Sequence, residues 1–169
     1  MDAYVAIVSK RDTRSFTTEP LDDEQLRRVL QAGRMAGSAK NGQVTRMVLV
    51  TDPDVLEPLS ACGTSTAWIK GAPAVVVFVI PVEGGRLFDI GRMAQNIMVA
   101  ARSLQLGSCP VTFQHADRLC DVLGLPGTHE GPMGVALGHP AADAAPNPLQ
   151  SPRLPLDELV HRDRWGAGS

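Results

Sequence analysis

Apolar positions along the chain recur three and four residues apart in some stretches and run without a break in others, and the two patterns predict different elements. Leu26, Val29, Leu30 and Gly33 keep helical spacing behind an Asp22/Gln25 capping pair, so Asp22 to about Met35 is predicted as an amphipathic helix. "RMVLVT", Arg46 to Thr51, reads as a strand, and Asp52-Pro53 then starts a short helix carrying Val55, Leu56 and Leu59. Ala72 to Pro81 ("APAVVVFVIP") is apolar on both faces and β-branched, the pattern of a central strand covered on both sides. Phe88 to Leu106 sets Ile90, Met93, Ile97, Ala101 and Leu104 at helical spacing and is predicted as a long central helix ending at Gly107. A strand near Ser108 to Thr112, a short helix near Ala116 to Leu123 and a strand near Met133 to Leu137 follow. From Ala141 to Pro155, four prolines among small residues predict an extended arm, followed by a short helical piece from Leu156 to His161.

Without repeats or internal linkers, this order fits one domain over 1–169, with about 141–169 as the arm. A chain of this length buries roughly 70% of its unfolded surface, enough for a real core. The formal net charge of −2 supplies no basic field of the kind nucleic acid demands. The longest apolar run, Ala72 to Val82, is about half the roughly twenty residues of a membrane span, so a cytoplasmic protein with no membrane partner is expected. Cys62, Cys109 and Cys120 lack CxxC spacing and read as small core residues, and no HExxH or His/Cys cluster predicts a metal. Neither GxGxxG nor GxxxxGK[ST] occurs, and no Gx[ST]xG elbow favours acyl transfer.

One polar stretch stands out. "SKRDTRSF", Ser9 to Phe16, sets three cations around one carboxylate, and taken alone it reads as a solvated turn. Four further stations accompany it: Gly37-Ser38-Ala39-Lys40-Asn41-Gly42-Gln43, "FDIGRMAQNIMVAARSLQLGSC", "LGLPGTHEGPMGVALGHP" and "PRLPLDELV". Read separately, Ser38 and Asn41 are ordinary turn residues, Gln95 and Asn96 bond neighbouring backbone, and Asp89 caps its helix or pairs with a cation. In this order, the five stations resemble the FMN-dependent nitroreductase family over nearly the full length.

That resemblance implies an α+β fold: a central, mostly antiparallel sheet flanked by helices, in an intertwined homodimer with an extended C-terminal arm. It implies FMN as cofactor, NADH or NADPH as transient electron donor, and ping-pong hydride transfer to a nitroaromatic, quinone or similar small-molecule acceptor. Lys10 and Arg11, with Arg153 from the arm, would hold the phosphate or ribityl end, and Arg14 the N1/O2 edge of the ring. Ser38, Ala39 and Asn41 would lie against the FMN held mainly by the other subunit. Val111 and Thr112 belong to the segment that gives a backbone N–H to flavin N5. Asp12 replaces a common serine and is expected to cap local N–H groups or to orient Arg11 or Arg14; Ser151 replaces a frequent lysine, and Val44-Thr45 a Pro-Trp pair. An Arg-Arg-Asp-x-Arg motif also occurs in the flavin-destructase branch, which consumes reduced FMN, and a non-catalytic FMN-binding dimer is a further alternative. Longer members insert helices over the open flavin face where this chain has only the link Pro81 to Phe88, which implies a wide or partner-capped pocket.

Overall fold

The computed structural model describes residues 1–144 and 153–166. Six α-helices and four strands are present among them: α1 (Ala3–Ser9), α2 (Asp23–Arg34), β1 (Arg46–Val50), α3 (Pro53–Leu59), β2 (Ala74–Pro81), α4 (Leu87–Ser103), β3 (Gly107–Thr112), α5 (Ala116–Leu123), β4 (His129–Gly138) and α6 (Leu156–Leu159). The strands form one sheet in the order β1-β2-β4-β3, and every neighbouring pair is antiparallel. The expected α+β layering is therefore present.

β2 organises the core, because the two faces of a pleated strand alternate. Ala74, Val76, Phe78 and Ile80 point to the side covered by α2 and α4, where they meet Val29, Ile90, Ile97 and Ala101. Val75, Val77 and Val79 point to the other side, against Leu56, Leu59, Ile69 and Leu119. α2 approaches α4 closely at Gly33, where an added Cβ would stand 2.9 Å from the Ile97 side chain. Asn96 of α4 donates to the Ala32 carbonyl at 3.1 Å, so its amide serves packing, as its residue type alone allowed.

Several elements differ from expectation, among them β4, which starts at His129 rather than near Met133. The central helix stops at Ser103, and the left-handed residue behind it is Gln105 at φ 63°, not Gly107, which opens β3. Helix α1 carried no sequence signal: Asp2 caps it at 2.9 and 3.3 Å, yet its Val5, Ile7 and Val8 are β-branched and exposed, and only Ala6 is buried. α1 packs on the far end of α4, where Arg102 donates to Ser9 Oγ at 3.0 Å. Of the predicted arm, 145–152 and 167–169, including Ser151, lie outside the described residues. No helix among the described residues is long and apolar enough to cross a membrane.

Asp22 and Gln25 form a reciprocal capping box at 2.7 and 3.0 Å. Asp22→Ala should destabilise the fold by about 1 kcal/mol, read as a lower urea midpoint at constant slope; an unchanged midpoint would contradict the role of the cap.

Candidate functional site

The cationic segment lies along the open edge of the sheet. Asp12 bridges to Ser108 in parallel, with the Thr13 N–H donating to the Ser108 carbonyl at 3.0 Å. Phe16 bridges to Pro140, and Thr17 and Ala141 complete the attachment through His139 and Ser15 carbonyls at 2.9 and 3.1 Å. Gly138 permits this contact, since a Cβ there would stand 2.6 Å from Pro73 Cδ and 2.9 Å from the Phe16 ring.

This path separates the charges of the knot. Lys10 pairs with Asp12. Arg11 donates to the Val8 and Lys10 carbonyls at 2.9 and 2.8 Å, closing the C-terminal end of α1. The side-chain partner of Asp12 is thus Lys10, and among the described residues Asp12 neither caps a local N–H nor bonds Arg11 or Arg14, contrary to expectation: Arg11 turns back to the helix carbonyls, and Arg14 lies over Trp68. The Arg14 guanidinium lies over the Trp68 ring, 5.7 Å from its centre, and neighbours the Cys109 thiol, which itself donates to the Pro110 carbonyl at 3.5 Å. Burial pushes that thiol up, and the neighbouring Arg14 cation opposes the shift only in part.

β3 is an edge strand, and its hydrogen-bond directions can be followed residue by residue. The Ser108 carbonyl points outward to Thr13, and the Phe113 N–H points inward to Pro132 at 3.0 Å. By alternation Ser108, Pro110 and Thr112 present their backbone groups outward, and Val111 presents its own inward to β4. Pro110 has no N–H, so the outward backbone donor beyond the Thr13 attachment is that of Thr112. Of the two residues expected to serve a flavin here, Thr112 is the one with its N–H on the open edge. Gln114 holds it: the amide donates to Thr112 Oγ1 at 2.9 Å and accepts from the Thr64 N–H at 3.0 Å.

A second group forms at the opposite end of α4. Ser38, Ala39 and Asn41 lie in a tight turn in which Lys40, Asn41 and Gln43 all adopt positive φ, at 53°, 54° and 48°. Ser38 Oγ accepts from the Gln43 N–H at 3.0 Å and the Ser38 carbonyl from Asn41 at 3.0 Å, so the turn is built by Ser38 itself. Left-handed Lys and Gln are costly, about 1–3 kcal/mol each, and such strain collects at ligand-contacting turns. Gly37 packs against the Arg92 guanidinium. Asp89, 4% exposed, sits in the first turn of α4 and helps Ser38, Thr45 and Met47 line a cavity of about 210 Å³. Arg86 holds the N-cap position, and no ion pair reaches Asp89 among the described residues, so neither expected role of Asp89 is met. The buried Thr45 hydroxyl has no partner there.

Ten residues of helix separate Arg92, beside Gly37, from Arg102, beside Ser9, which is about 15 Å. The turn and the cationic segment thus occupy opposite ends of α4. Arg153 is exposed, and no hydrogen bond or ion pair joins it to the cationic segment among the described residues. Trp68, Cys109 and Gln114 carried no individual signal in the sequence, because each meets the site only through the fold.

A family model described as the nitroreductase family matches residues 7–86 and 67–139. The chain belongs to the nitroreductase family. An NADPH-flavin oxidoreductase of Vibrio harveyi is 31% identical over 94% of this chain and 72% of its own length. A Thermus thermophilus NADH dehydrogenase is 28% identical over 95% of both chains. Among solved structures, the Vibrio harveyi NADPH:FMN oxidoreductase complexed with NAD+ superposes with a TM-score of 0.85 at 29% identity, covering 96% of this nitroreductase-family chain and 77% of the other. The architecture is that of the nitroreductase fold.

Burial also raises Cys62, whereas Cys120 is half-buried, and all three thiols are free. A maleimide at pH 7.5 should label Cys120 first and reach Cys62 and Cys109 only on denaturation. Rapid labelling of Cys109 in the folded protein would contradict its placement under Arg14.

Proposed function

We propose that the cationic segment and the outer edge of β3 would hold FMN, which would supply ping-pong hydride transfer between NADH or NADPH and a nitroaromatic, quinone or similar conjugated acceptor. Family membership makes the chain an NAD(P)H-dependent oxidoreductase that works with FMN. The observation that carries the residue assignments is the outward Thr112 N–H on β3, the strand whose Cys109 neighbours Arg14. A fixed donor and a fixed cation on one open edge suit a planar ring that gains negative charge along one side. The residues present therefore fit the group.

Arg14 supplies positive charge at the N1/O2 side and favours the reduced, anionic form, while Thr112 offers its N–H at N5. Lys10, Arg11 and Arg153 serve the phosphate. Arg11 exchanges two exposed carbonyl bonds to do so, and Lys10 keeps Asp12 as a neighbour, so the knot offers less net charge than its three cations alone. No side-chain acid or base is required, since the protein supplies position and electrostatics.

Ser38, Ala39 and Asn41 reach a flavin held by a second copy, so the working form is a homodimer. Their distance along α4 from the cationic segment supports this reading. So do Met35, Leu87 and Phe88, exposed beside the same turn at 65%, 60% and 76%.

Under anaerobic conditions NADH or NADPH should bleach the FMN-loaded protein, and an added quinone should restore the colour. FMN that stays oxidised would overturn the reductase reading, and loss of reduced FMN to a new product under air would favour a destructase-like enzyme. Arg14→Ala removes a charge-assisted bond of about 1.5–3 kcal/mol, so FMN should bind roughly ten- to a hundredfold more weakly with the melting temperature little changed; unaltered affinity would remove Arg14 from the site.

A further inference from the structure

We infer that Trp68 is a positioning residue for Arg14: its indole face holds the guanidinium in place before the cofactor arrives. This rests on the FMN reading above. The flexible arginine side chain would otherwise sample many rotamers, and each would have to be given up on binding. Held over the indole, 5.7 Å from the ring centre, and beside Cys109 of β3, the planar guanidinium is left with a narrow set of positions.

The platform is itself fixed. Trp68 is half-buried in a short 3-10 helix, Ala67–Gly71, anchored by the wholly buried Ile69. Its indole N–H donates to the Ser65 carbonyl at 3.0 Å. The buried Thr66 hydroxyl donates to the Ser60 and Gly63 carbonyls at 2.7 and 3.0 Å, closing the turn beneath it. The same turn is tied to β3 through Thr64, Gln114 and Thr112. At Gly63 there is no room for a side chain: a Cβ would stand 2.7 Å from Thr66 Cγ2, 2.8 Å from Gln114 Oε1 and 2.9 Å from the Thr112 carbonyl. One segment, residues 63–68, thus fixes the cation and the backbone donor of the site relative to each other.

The test is a titration of apoprotein with FMN, read by quenching of flavin fluorescence, for the wild type, Trp68→Leu, Trp68→Phe, Arg14→Ala and the Arg14→Ala/Trp68→Leu pair, each with a thermal melt. Trp68→Leu should weaken FMN binding about three- to tenfold, in line with a partly desolvated cation–π contact. Trp68→Phe, which keeps an aromatic face, should recover most of that loss. In the Arg14→Ala background Trp68→Leu should cost nothing more, because the two residues act as one unit. Equal losses in both backgrounds, an unaffected Trp68→Leu, or a Trp68→Phe as weak as Trp68→Leu would each overturn the role of Trp68 while leaving FMN binding intact. An Arg14→Ala protein with wild-type affinity would instead strike the FMN reading, and this inference with it. If Trp68→Leu does not fold, Trp68→Met carries the same expectations.

Discussion

A sheet edge leaves one row of backbone groups unpaired, and the arrangement of this protein follows from how β3 resolves that constraint. Ser108 gives its outward carbonyl to the returning N-terminal segment, Pro110 removes a donor, and Thr112 is left with an N–H facing outward. The attachment of Asp12 and Thr13 to this edge, continued by Ser15–Thr17 against residues 139–141 past the end of β4, is what brings Lys10, Asp12 and Arg14 to the sheet at all. A cationic run that the sequence alone would leave in solvent is held against the sheet.

The second constraint is the length of α4. Its first turns carry Asp89 and Arg92 beside the strained Ser38–Gln43 turn, and its last turn carries Arg102 beside Ser9. A rigid helix keeps these ends apart, so residues that belong to one site by family resemblance do not meet in one chain. Exposed apolar side chains at both ends, Phe88 at one and Val5, Ile7 and Val8 at the other, accord with burial against a second copy.

Elements whose apolar face is covered within the chain were legible from the sequence. α2 showed its cap and stripe, β2 its two-sided apolar run, and α5 was placed with its observed ends. α1 was not, because Val5, Ile7 and Val8 have no cover within the chain and favour strand geometry. The end of α4 was misplaced because a left-handed glutamine leaves no trace in composition, and the same holds for Lys40 and Gln43. Motif order singles out Arg14 and Thr112 as candidates, while Trp68 and Gln114 give no signal of their own: their partners lie far off in the chain and only the packed turn 63–68 joins them. The pairing of Asp12 with Lys10, rather than with local N–H groups or with Arg11 or Arg14, escapes the sequence for a similar reason, since the helix that draws Arg11 away gives no signal either.

In the proposed dimer each flavin site is completed by the turn of the other subunit, and subunit mixing tests this most directly. Arg14→Ala damages the site held by its own chain, and Ala39→Trp, an exposed position, blocks the site of the partner. Each homodimer should bind FMN poorly. Co-refolded or exchanged heterodimers should regain one site of wild-type affinity and leave one doubly damaged. Heterodimers that recover no tight site would contradict the account, because both substitutions would then act within a single chain.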